Sequence, residues 1–120
     1  SDSTADASSR LVISGEVYTV DDNGDKYLIA EASSEFWDSD TTPLKNTIDR
    51  TESGALLANK EVWTGSLESG ATTSDHCVNW TDTGSTATYG DNSIKTSAWI
   101  ESSATANCNT SKHLYCISQD

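Results

Sequence analysis

Asp21, Asn23 and Asp25 alternate along one short stretch, and side-chain oxygens at that spacing are what a calcium loop offers. An EF-hand would add glycine at the sixth position and glutamate at the twelfth, whereas here Gly24 stands fourth and Ala32 twelfth. An acidic hairpin turn accounts for the same residues. Calcium is thus the one cofactor the chain raises; otherwise none is expected. His113 and Cys116 are the types of a base and a nucleophile. On a strand they would point apart, with Cys116 in the core and His113 in water. Asp75-His76-Cys77 carries metal-ligand types, but a disulfide at Cys77 would leave only two ligands. Glu31 and Glu35 have the chemistry of a glycosidase pair, yet at helical spacing they read as a solvated face. No stretch combines nucleophile, base and oxyanion site, so the expectation is a protein that is not an enzyme.

Three cysteines, Cys77, Cys108 and Cys116, are an odd count that suggests one disulfide and one leftover thiol. No C-x-x-C occurs, which argues against cytosolic redox or metal chemistry. A chain of 120 residues fits one domain, and 34% hydrophobic residues make a thin core that a covalent staple would help. Four Trp and four Tyr carry much of the apolar bulk. Asn79-Trp80-Thr81 and Asn109-Thr110-Ser111 fit the N-glycosylation pattern, as short polar tripeptides also do by chance. Together these features point to a secreted or cell-surface protein.

The formal charge of −12 and a pI near 4.2 exclude partners that are themselves anionic. Nucleic acid, anionic lipid and sulfated polysaccharides such as heparin would be repelled. Basic proteins, cations and neutral glycans stay open. No apolar run reaches the roughly 20 residues that span a bilayer, so direct membrane insertion is not expected. The chain has no Met and begins Ser1-Asp2-Ser3-Thr4, which fits a processed or a recombinant product equally.

Residues 1–10 read as a polar arm that is ordered only if something holds it. Residues 11–30 read as a β-hairpin, with Leu11-Val12-Ile13 and Glu16 to Val20 extended and Asn23-Gly24 turning the chain toward Lys26 to Ala30. Gly15 would mark a bulge or break. Residues 31–120 hold the rest of the single domain. A short helix is expected over Ser33 to Trp37, a turn at Glu52-Ser53-Gly54 and a core strand at Val62-Trp63. Asp75 to Trp80 is one helical turn or a tight loop. Thr81 to Thr96 reads as a long polar loop, Ala98-Trp99-Ile100 as a short strand, and Lys112 to Ser118 as a closing strand. Trp63, Trp80 and Trp99 suit either core packing or stacking on sugar rings.

Val62-Trp63-Thr64-Gly65-Ser66, Cys77-x-x-Trp80, Cys108 and Leu114-Tyr115-Cys116-Ile117 occur in an order that resembles the C-terminal half of endostatin domains. It also resembles leptospiral-type bacterial surface-protein domains of the same C-type-lectin-like fold. Upstream, Trp37, Pro43-Leu44-Lys45 and Ile48 are compatible with the endostatin pattern, so the resemblance spans Glu31 to Gln119. It implies an α+β, mostly β, C-type-lectin-like fold, with an N-terminal hairpin and long polar loops. It also implies a disulfide between Cys77 and Cys108. Cys116 would pair with a cysteine on an N-terminal helix; this chain has none there, leaving a buried free thiol or an intermolecular bond. The Glu-Pro-Asn, Gln-Pro-Asp and Trp-Asn-Asp motifs of calcium-dependent lectins are missing, as are endostatin's N-terminal histidines, and against endostatin's exposed arginines this chain sets two arginines among 19 acids.

The function these observations imply is a non-catalytic extracellular recognition or adhesion module. Its glycan or protein ligand would be met by the 81–96 loop, through Asp82, Tyr89, Asp91 and Asn92. The alternative is a subunit that assembles with copies of itself into a filament or oligomer, donating the arm residues Leu11, Val12 and Ile13 as a strand.

Overall fold

A β-hairpin forms around Asn23-Gly24, as the Asn-Gly signal predicts. In this computed structural model, which describes residues 1–38 and 42–118, β1 (Val17–Val20) pairs antiparallel with β2 (Lys26–Ala30). The turn takes five residues, and Gly24 supplies the positive φ of 84°. A carboxylate does the remaining work there. Asp21 accepts from the backbone N–H of Asn23 and of Asp25, both at 2.9 Å, and from the Tyr27 hydroxyl at 3.0 Å. Those bonds, led by the one from Asp25, hold the Asp21 carboxyl below its ordinary pKa. The register shifts between Val17 and Tyr18, so the irregularity lies inside β1 rather than at Gly15.

A 3-10 helix over Ser33–Trp37 follows, in the place where a short helix is expected. It turns Phe36 into the core and sets Trp37 against it. Three strands make the second sheet in the order β3 (Glu61–Trp63), β4 (Thr86–Asp91), β5 (Thr105–Asn107), all antiparallel. The molecule is therefore mostly β, with two small sheets and short helical turns. The main core lies between them: Ile29, Phe36, Leu44, Trp99 and Ile100 are buried, with Leu11, Val17 and Tyr115 packed around them. Phe36 and Trp99 stand 5.3 Å apart, and Trp99 and Tyr115 5.4 Å. Burial pushes the Tyr115 hydroxyl well above its ordinary pKa, and that hydroxyl donates to the Trp99 carbonyl at 2.8 Å.

Several sequence expectations are overturned. Residues 81–96 are not one surface loop, because Thr86–Asp91 is the central strand of the larger sheet. Its polar Thr-Ala-Thr-Tyr-Gly-Asp hides the strand from a hydrophobicity reading, yet Ala87, Thr88 and Gly90 are buried. Ser97–Trp99 is a 3-10 helix, not a strand; three apolar residues do not distinguish the two. The closing strand reduces to one parallel bridge between His113 and Val62, and Cys116 is exposed instead of lying in the core. Tyr115 and Ile117 are the residues that turn inward, reversing the expected faces. Leu11-Val12-Ile13 forms no strand, for Ile13 bonds through its backbone to Ser33 and Leu11 packs on the core.

The polar arm is held by its own domain. Its short helix α1 (Ala7–Arg10) lies beside Gly70, whose carbonyl accepts from Ser8 N–H at 3.2 Å. Asp6 accepts from Thr72 N–H at 2.8 Å, and Arg10 pairs with Asp2 at 2.8 Å. The Asp2 carboxyl is drawn far below its usual range, chiefly by the Thr4 hydroxyl and N–H, then by Arg10.

Of the seven glycines, Gly90 has the least room. A Cβ there would fall well inside van der Waals contact of the Trp99 carbonyl. Gly90→Ala is expected to lower stability by about 3 kcal/mol or more, through overpacking. Thermal melting checks this, and an unchanged midpoint would show that β4 does not press on the 97–100 segment.

Candidate functional site

The segment that follows the bridge between His76 and Ala87 of β4 carries the most unusual backbone among the described residues. Cys77, Val78, Asn79 and Trp80 have φ of 53°, 50°, 58° and 66°, a single left-handed helical turn with no glycine in it. Left-handed backbone costs an L-residue about 1–2 kcal/mol, and a β-branched residue such as Val78 tolerates it least. Backbone strain of this kind persists only where its surroundings over-determine it.

Three groups do so here. The Cys77–Cys108 disulfide ties the start of the turn to the end of β5, spanning 31 residues. The pairing implied by the resemblance is thus present. His76 caps the turn, its Nδ1 accepting from Asn79 N–H at 2.8 Å while its carbonyl accepts from Trp80 N–H at 2.9 Å. Trp80 in turn donates Nε1–H to the Ser1 carbonyl at 3.0 Å and lies over Gly65, where a Cβ would meet its ring.

The turn displays Val78 and Trp80 to solvent, 56% and 41% exposed. Trp80 meets Trp63 edge-on at 6.2 Å. On the same sheet face Lys112 reaches over the rings of Tyr89 at 4.2 Å and Trp63 at 5.2 Å, and its ammonium pairs with Glu61. Aromatic rings with one cation and flanking amides make a surface suited to stacking and hydrogen bonding. The Ser1 ammonium is half-buried nearby, donating to the Thr64 carbonyl at 2.8 Å. Burial first, and then Arg10, lower its pKa.

The residues expected to form a binding loop are distributed over other tasks. Asp82 closes a small turn with Ser85 and Gly84, and the Ser85 hydroxyl holds its carboxyl below the ordinary range. Tyr89 is in β4 under Lys112. Asp91 accepts from Ser93 N–H at 2.8 Å. Asn92 is buried, bonding Lys60 N–H and the Leu57 carbonyl. Of the four, only Tyr89 joins the aromatic face.

Other candidates fall into place one by one. Asp21 spends its carboxylate on the hairpin, and among the described residues no group of three His, Cys, Asp or Glu could hold a metal ion. Asp75 accepts from the Thr86 hydroxyl at 2.8 Å. Glu31 and Glu35 both approach Lys45, at 3.8 and 3.6 Å. Asn79 and Asn109 are exposed, with the Asn79 amide oxygen accepting from Ser3 N–H at 2.8 Å. Trp99 is core, not platform. Sequence reasoning missed Lys112 and Val78. The one available signal for the turn was Asn79, a residue type that tolerates positive φ.

The chain matches no protein-family model, and comparison with curated proteins and with solved structures returns no match. Among the described residues no helix is long and apolar enough to cross a membrane.

Two outcomes follow from the strained turn. Cys77→Ser is expected to cost about 3–4 kcal/mol, the loop-closure value for a staple of this span. Denaturant titration reads it, and an unaltered midpoint would mean the bond is dispensable. Val78→Gly should instead stabilise by about 1 kcal/mol, since glycine enters the left-handed region freely. A loss on the same titration would show that the Val78 side chain is packed.

Proposed function

We propose that this chain is a non-catalytic recognition module of an extracellular or cell-surface protein, with a C-type-lectin-like, endostatin-like fold. Its ligand is a neutral glycan or a protein. The observation that carries the reading is the stapled left-handed turn, which holds Val78 and Trp80 outward at a cost in backbone energy. A disulfide suits an oxidising compartment, and a charge of −12 suits ligands that are neutral or basic. The fold assignment draws its support from the order of Trp, Gly and Cys residues and from the Cys77–Cys108 bond.

The self-assembling alternative has less behind it. Leu11 and Ile13, the residues a donated arm would offer, are engaged with their own domain, leaving Val12 exposed.

Trp80→Ala tests the module. On arrays of neutral glycans and of cell-surface proteins, it is expected to weaken any ligand captured by the native protein by about 2 kcal/mol, a thirtyfold loss in affinity. Its melting midpoint reports separately on folding. Full retention of binding would remove the turn from the site. Filaments in negative-stain images of the native protein would transfer the reading to the assembling subunit.

A further inference from the structure

The two edges of the hairpin are treated differently. The outer edge of β2 is covered, since Lys45 N–H donates to the Ile29 carbonyl at 2.8 Å and the Asn46 amide donates to the Leu28 carbonyl at 2.7 Å. The outer edge of β1 has no strand beside it in its two-stranded sheet. Its sequence, Val-Tyr-Thr-Val, is strongly β-prone and carries neither proline nor charge, the usual protections of a free edge.

Across from β1 runs the 113–118 segment, and between them lies an open groove. It consists of two adjoining cavities of about 340 and 700 Å³. Ile29, Ile48, Leu57, Val62 and Ile117 are among the residues that line it. Beyond His113, the backbone N–H groups of this segment find no backbone acceptor among the described residues. The groove is thus largely apolar within and bordered by N–H groups that have no backbone acceptor.

Its rim is acidic. Glu16 stands at the smaller cavity and Glu52 at the larger, both exposed. Arg50 also lines the larger cavity, but its guanidinium is engaged by Asp49 at 3.9 Å, by the Gly54 carbonyl and by the Tyr27 ring. A second copy of the chain carries the same net charge of −12, so self-association is disfavoured.

We propose that the groove takes an extended, basic segment of another protein, which adds to β1 as a third strand, its alternate apolar side chains entering the groove and its cations meeting Glu16 and Glu52. This site is separate from the Trp80 turn, so either reading can fail without the other.

The test uses the full chain with its disulfide intact. The probe is a fluorescent heptapeptide alternating Lys and Val; its controls are a Lys/Ser peptide and a Lys/Val peptide with N-methylated backbone. Anisotropy at low salt should show the Lys/Val peptide binding, with about a tenfold loss or more for each control. Glu16→Lys with Glu52→Lys should cost a similar factor. The pair Glu31→Lys with Glu68→Lys changes net charge equally but lies outside the groove, and should leave the affinity within about twofold. Amide shifts should centre on 17–20 and 113–118. Equal binding of the Lys/Ser or N-methylated peptide, equal losses from the two charge-reversed pairs, shifts elsewhere, or no binding at all would each overturn the proposal.

Discussion

The carbonyl end of Trp99 is where the two halves of this molecule are tied. Its ring packs against Phe36 and Tyr115, which belong to the hairpin side and the C-terminal segment. Its carbonyl takes the Tyr115 hydroxyl and presses against Gly90 in β4. One residue later, the Ile100 carbonyl accepts from the buried Thr64 hydroxyl at 2.6 Å. Two small sheets with no strand in common are thereby joined through one short helical turn. Close packing, not ladder hydrogen bonds, carries the connection, and dense packing does not deform continuously.

The same logic explains how a chain with only 34% hydrophobic residues can hold an ordered surface. Aromatic area is concentrated at the centre, and polar side chains do the local work. Asp21 shapes the hairpin, Ser33 ties the 11–13 segment, Asn92 bonds the backbone at Leu57 and Lys60, and His76 caps the left-handed turn. Each satisfies backbone groups that no sheet reaches. The many Ser, Thr, Asn and Asp residues are in this sense structural, which is why they make poor guides to a binding loop.

What the residues disclose in advance divides along physical lines. The hairpin is legible because Asn23-Gly24 specifies a turn locally, and the Ser33–Trp37 helix because Phe36 and Trp37 need a buried face. An odd cysteine count announces one staple and one leftover thiol, and the Cys77–Cys108 pairing is the one the endostatin resemblance implies. β4 is not legible, because its burial comes from neighbours distant in sequence and its own residues are small or polar. Leu114-Tyr115-Cys116-Ile117 has strand composition, but a segment with one bridge gains no ladder from it. The left-handed turn is the least legible of all. Only the staple, the His76 cap and the Trp80 contact together make that backbone stable, and no single residue announces it.

Gly90 and the 77–80 turn impose opposite rules on how this sequence can drift over generations. At position 90 no side chain fits, so the lineage is confined to glycine unless the 97–100 segment moves with it. At position 78 the backbone would welcome glycine, asparagine or aspartate, and valine is the costly choice. Descendants of this chain would therefore keep one residue because nothing else is possible. Where they also keep the other, selection would be acting on the side chain that valine shows to the outside.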